Sequence, residues 1–166
     1  MTTSQDLIQS MLFFSALAVT AAVFALVEIQ IEGRDGWAAK LPTWKLSTRW
    51  LNRLFPGRPL TGYHFYVVIF IALVAHLPFA LGLPWTRYGQ LRALSFILFF
   101  WVAEDFLWFV LNPHFGLRRF RPQNIGWHRQ SWWWLAPRDY WIATTIAAAL
   151  YICSQHDPVI YIALRP

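Results

Sequence analysis

The chain has 166 residues, room for one domain and little more. Apolar residues make up 57% of it and charged residues 13%, against roughly 45–50% and about 25% in soluble domains, which excludes an ordinary soluble fold. The lone Cys153 excludes an intramolecular disulfide, a cysteine-rich zinc site and a thiol–disulfide relay, and the net charge of +6 takes its meaning from where the basic residues fall.

Four segments approach the roughly 20 apolar residues that a membrane span needs. They are Met11–Ile31, His64–Leu83, Ala93–Leu111 and a shorter one from Asp139 to about residue 155. The expectation is an all-α integral membrane fold: a single membrane domain over 1–166, built as a four-transmembrane-helix bundle. Residues 1–10 carry no positive charge and the first apolar run is long, so the first span is read as a retained helix and not a cleaved signal. Segment 84–92 is read as a tight connection, and the linkers 33–63 and 112–138 are long.

Four spans place both long linkers on one face. That face collects Arg34, Lys40, Lys45, Arg49, Arg53 and Arg58, then Arg118, Arg119, Arg121, Arg129 and Arg138, eleven of the fourteen Lys and Arg residues. The positive-inside rule makes these linkers cytoplasmic and both termini non-cytoplasmic, in a prokaryotic cytoplasmic (inner) membrane. In the first linker, Thr43 is read as the cap of a helix running to about Phe55. Leu46, Trp50, Leu51, Leu54 and Phe55 gather on one side of it, opposite Lys45, Arg49, Asn52 and Arg53, the pattern of an amphipathic helix lying in the headgroup layer. A soluble cap over the bundle is the alternative. Trp44, Trp50, Trp132, Trp133 and Trp134 are read as membrane-interface anchors. The second linker interleaves basic and aromatic residues, but beside a span this points to lipid, and no nucleic-acid partner is expected.

Ionisable residues in spans are costly and mark function by default. Glu28 and Glu32 close the first span, and, being four apart, share a face with Ala18, Ala21 and Ala25. His64 opens the second span. Glu104 and Asp105 lie in the third, on or beside an arc with Trp101, Trp108 and Asn112; His114 follows at its exit. His128 and Asp139 come from the second long linker and the start of the fourth span, whose Ala143, Ala147 and Ser154 form a close-packing stripe. His76, His156 and Asp157 fall toward the other face. His76 and His156 are read as structural or surface residues and Cys153 as a small packing residue.

The expected result is a polar pocket among the first three spans, opening to the cytoplasm. Glu, Asp and His at one depth suit a divalent transition metal such as Zn, Fe or Mn, whose charge offsets the burial of several carboxylates. The candidate ligands are Glu32, His64, Glu104, Asp105 and His128. Glu28, Asn112, His114, Arg138 and Asp139 are placed around them to orient the imidazoles. The competing reading has the glutamates paired with Arg34, Lys40 or a neighbouring arginine, the histidines in the headgroup layer and Asp139 as a helix N-cap.

Dense histidine boxes, H-E-x-x-H, G-x-S-x-G and paired cysteines are all missing from the sequence, so desaturase-like, site-2-protease-like, serine-hydrolase and quinone-relay readings fail. Four spans with acidic residues and His near one mouth loosely resemble the emopamil-binding-protein class of sterol isomerases and sigma-2-like receptors. No motif extends that likeness along the chain, and no residue is carried across. The leading expectation is a membrane protein with a metal-binding pocket, acting as a metal-dependent enzyme on a lipid or amphipathic substrate. A small proton- or cation-coupled transporter and a non-catalytic assembly or anchoring factor are the alternatives, so enzymatic activity is left open. Membrane lipids are the expected partners, with a homo-oligomer allowed.

Overall fold

Long apolar runs in this chain have no backbone solution in lipid other than the helix, which satisfies every internal N–H and C=O. The computed structural model describes residues 4–54 and 56–155, and helices dominate them. They are α1 (Ser4–Glu32), α2 (Arg49–Leu54), α3 (Gly62–Ala80), α4 (Arg87–Leu111) and α5 (Arg138–Ser154). Among the described residues, α1, α3 and α4 are long and apolar enough to cross a membrane. The 17-residue α5 rises about 25 Å, short of a hydrocarbon core about 30 Å thick.

Helix α4 is the central post. It packs closely on α1 and on α5, and less closely on α3. Small side chains at the crossings explain the close approach, because in lipid helices associate through tight packing and short polar contacts. Ala21 and Ala25 of α1, Ala93 and Ser95 of α4, and Ala147 and Ser154 of α5 are all buried. The Ser95 hydroxyl donates to the Ala147 carbonyl at 2.8 Å, and near the start of α1 the Tyr151 hydroxyl donates to Ser10 Oγ at 2.8 Å.

Several expectations are corrected here. Ala18 is exposed, and the packed stripe of α1 runs instead through Leu17, Ala21, Ala25 and Glu28. Asp105 is more open than Glu104, which with Trp108 and Asn112 belongs to the buried side of α4. Cys153 is exposed, because Ser154 takes the packed position one residue on. Helix α4 starts at Arg87, capped by Thr86, whose hydroxyl accepts from Gly89 N at 2.9 Å, so the connection after α3 falls at 81–86 and not 84–92. Pro137, not Asp139, precedes α5 as its N-cap. The expectations for His156 and Asp157 lie outside the described residues, as does Phe55.

The first long linker also differs from its reading. No helix starts at Thr43. Residues Lys45–Leu46 (β1) pair antiparallel with Leu60–Thr61 (β2), and only Arg49–Leu54 is helical, with Thr48 Oγ1 accepting from Leu51 N at 3.3 Å. Leu51 is buried there, while Trp50 is exposed. Pairing with the residues that lead into α3 competes successfully with helix propensity over 43–48. A second two-residue ribbon joins Trp132–Trp133 (β3) to Ala136–Pro137 (β4) at the entry to α5.

Both long linkers fold over the same end of the bundle. Asn112 Nδ2 donates to the Gly33 carbonyl at 2.9 Å. Gly36, with φ +61°, lies so close to Trp127 that a Cβ would stand 2.5 Å from that ring. Gly62 sits equally tightly under the first linker: its N–H donates to the Trp44 carbonyl at 2.9 Å, and a Cβ would meet Trp44 Nε1 at 2.6 Å and Thr43 Oγ1 at 2.7 Å. Gly62→Ala is therefore expected to destabilise the protein by about 1–3 kcal/mol through overpacking. Thermal unfolding in detergent checks this, with an unchanged midpoint as the contrary result.

Candidate metal centre

Helical period carries the Leu17–Ala21–Ala25 stripe into Glu28 and Glu32, so the last two turns of α1 bring carboxylates to the inter-helix seam. Glu28 is 6% exposed and Glu104, from α4, 2%. The Glu28 carboxyl lies near that of Glu104 and near the Tyr63 hydroxyl, which is buried without a hydrogen-bond partner. Glu104 Oε1 has no hydrogen-bond partner although it is buried.

Helix α3 supplies the imidazole. Thr61 caps it, its hydroxyl accepting from His64 N at 3.2 Å and lying 2.6 Å from His64 Nδ1. With Nδ1 engaged by the cap, Nε2 is the ring nitrogen directed at the glutamates, 3.7 Å from Glu32 Oε1. Trp37 stacks on the other side of the ring at 4.1 Å between centroids. Glu32 itself accepts the Ala38 N–H. That amide is aimed by two successive left-handed residues, Trp37 (φ 47°) and Ala38 (φ 50°), a costly backbone for side chains with a Cβ and one that surrounding contacts must hold. The Trp37 indole donates to the Pro59 carbonyl at 2.9 Å, and the Arg58 guanidinium lies over the Trp37 ring. One ligand atom each from Glu28, Glu32 and His64 lies within 4.8 Å of the other two, so the three could hold a metal ion.

A second polar network abuts the first. His128 Nε2 lies 2.9 Å from Asp105 Oδ2, which also accepts from the Tyr140 hydroxyl. Arg58 bridges linker to helix: it lies 3.2 Å from His128 Nδ1 and forms an ion pair with Asp139, which Arg138 also approaches at 3.3 Å. His128 and Arg58 are both buried.

The expected ligands thus divide. Glu32 and His64 come together, with Glu104 beside them through Glu28. Asp105 and His128 bind each other, and the arginine against His128 disfavours a cation there by like-charge repulsion. Glu28, expected only to orient ligands, stands within the ligand group. Arg138 and Asp139 belong to the Arg58 network. Asn112 and His114 orient neither histidine: Asn112 joins Gly33 and accepts from His114 N, and the His114 side chain lines a surface pocket with Arg34 and Arg119. Of the alternative pairings, Lys40 engages Asp35 and not a glutamate. Trp44, Trp50, Trp133 and Trp134 are exposed, whereas Trp132 is partly covered by Phe120.

Sequence reasoning did not single out Trp37, Arg58, Tyr63 and Tyr140. Trp37 lies in the motif-like stretch EGRDGWAAKLPTW, the one local signal of the four. Nothing local distinguishes Arg58 from the ten other basic linker residues. No protein-family model, curated protein or solved structure matches the chain.

Arg58→Met would leave His128, Asp105 and Asp139 without their shared cation. The expected loss is about 2–4 kcal/mol, reduced from a fully buried pair because Asp139 is partly exposed. Chemical denaturation in mild detergent measures it, and a loss no larger than that of a surface control such as Arg53→Met would count against the network.

Proposed function

We propose that the chain is a four-span protein of the prokaryotic cytoplasmic membrane that holds a divalent transition metal at the cytoplasmic end of its bundle and acts on a lipid or amphipathic substrate there. The observation that carries the reading is the Glu28–Glu32–His64 group beside buried Glu104, whose Oε1 has no hydrogen-bond partner. Glu28, Glu32 and Glu104 with the His64 imidazole offer oxygen and nitrogen donors that suit Zn, Fe or Mn, and a bound cation offsets the cost of burying their charge. Glu28, Glu32 and His64 would hold the ion and Glu104 completes or flanks the set. A metal so held supplies Lewis acidity and activation of bound water. Thr61 and Trp37 fix the imidazole, and the Trp37–Ala38 turn fixes Glu32, so that the donor set is preorganised.

The fourth span rests on α5 running along α4 and reaching Ser10 at the start of α1. Orientation rests on the eleven basic residues of the two linkers, which share one end of the bundle. Exposed Trp50 beside Arg49 and Arg53 supports an interfacial role for α2, shorter than a lipid-sensing helix of the usual kind.

The metal is tested by elemental analysis of protein purified without chelator. The expected result is near-stoichiometric transition metal, with Glu32→Gln and His64→Ala each removing most of it while the fold, by circular dichroism, persists. Protein that stays metal-free after addition of Zn, Fe and Mn overturns the reading. The Glu28–Glu104 pair favours a proton-coupled carrier as the second reading, since two adjacent buried carboxyl groups can hold a proton between them and carboxylates within spans serve proton relays. Proton-dependent uptake in proteoliposomes, lost in Glu104→Gln and present in metal-free protein, would select it.

Topology has its own test. In a Cys153→Ser background, Gln123→Cys is expected to resist a membrane-impermeant maleimide added outside intact cells, and Leu83→Cys to react. The opposite pattern inverts the orientation.

A further inference from the structure

The first linker is stapled to the start of α3 more firmly than a connection requires. Besides the β1–β2 ribbon and the Gly62–Trp44 bond, Tyr63 N donates to Thr43 Oγ1 at 3.0 Å, and the Gly62 position admits no Cβ. Residues 41–44 are thereby held out as a lip. Behind it, α1 and α3 each pack on α4 and only marginally on one another. The gap is a groove of about 600 Å³ walled by Phe24, Leu41, Trp44, Val67 and Phe70, with Tyr63 at its linker end.

Three features of the groove restrict what fits it. No charged side chain lines it among the described residues. Its open side lies on two helices that present exposed Val23, Val27, Phe70 and Leu73 and are long enough to cross a bilayer, so it faces hydrocarbon. Its polarity is graded along the bundle axis. Thr43 and Tyr63 lie at the linker end and Tyr66 one turn on, while Phe24, Val67 and Phe70 supply the rest of the wall over the rise of Gly62–Phe70, about 12 Å at 1.5 Å per residue. A polar mouth at the interface above an apolar slot parallel to the span matches one lipid chain hanging from its headgroup. Tyr63 joins this slot to the carboxylates: it lines the groove, and its buried hydroxyl, near Glu28, has no hydrogen-bond partner.

We infer that the groove between α1, the 41–44 lip and the start of α3 seats one acyl chain of a bilayer lipid, delivering the lipid's polar end to the Glu28–Glu32–His64 group. The delivery rests on the proposed metal centre; the seat itself does not. This gives the substrate a class, a lipid entering sideways from the cytoplasmic leaflet, and makes Tyr63 a positioning residue between chain and carboxylates.

The test uses the full chain in vesicles of phosphatidylethanolamine and phosphatidylglycerol, doped with a phosphatidylethanolamine carrying a diazirine on one acyl chain. After illumination, cross-links mapped by mass spectrometry should concentrate severalfold on residues 41–44 and 63–70 relative to the exposed apolar Ile142 and Ile146 of α5. Val67→Trp, which fills the slot, should abolish the excess but leave labelling of Ile142 and Ile146 unchanged. Phe70→Ala, at an exposed position that does not threaten folding, should reduce it. Even labelling of all exposed apolar faces, or an excess untouched by both substitutions, overturns the inference, as does a chain dimer whose protein–protein cross-links occupy the groove. Metal measured on the same samples separates the two claims. Groove labelling in metal-free protein keeps the seat and removes the centre, and uniform labelling in metal-loaded protein does the reverse.

Discussion

Glutamates buried at one end of an apolar bundle are the constraint around which the rest is arranged. Glu28 and Glu104 meet across the α1–α4 seam, with Glu32 one turn on. A carboxylate taken out of water without a partner costs several kcal/mol even after relaxation, and the apolar helices around these three offer nothing to offset it. Everything that can has to come from outside the helices, from the linkers and from the capped start of α3.

This explains the shape of the first linker. Its Trp37–Ala38 turn adopts two left-handed residues in a row to aim an amide at Glu32, and Trp37 then serves as the plate on which His64 and Arg58 are laid. The linker must return to the bundle close to where it left, so β1 meets β2 directly before α3 and the Thr61 cap sets His64 beside Glu32. The same staple leaves the lip that borders the groove. Backbone strain, helix cap and groove wall follow from one local arrangement.

The second polar network answers a different charge. Asp105 and Asp139 are less deeply buried than Glu104, and Arg58, His128 and Tyr140 satisfy them without an added ion. Two neighbouring acidic groups thus have opposite solutions: one has its own cation in Arg58, the other is left with oxygen and imidazole donors. That contrast, more than the number of carboxylates, distinguishes a ligand set from an ion-pair network.

Composition and hydropathy alone determined that this chain is helical and suited to a membrane, because a bilayer admits few backbone solutions and apolar runs of the required length are visible in one dimension. Helical period likewise put Glu28 and Glu32 on one face, and the crowding of ionisable residues toward one end of the spans followed from chain direction. Which acidic residue meets which partner was decided only in three dimensions. The candidate ligands come from α1 and α3, and Arg58 reaches His128 and Asp139 across 70 and 81 residues of sequence. The early strand of the first linker, the burial of Glu104 over Asp105 and the exposure of Cys153 depended on packing partners far along the chain, and no local propensity encodes those.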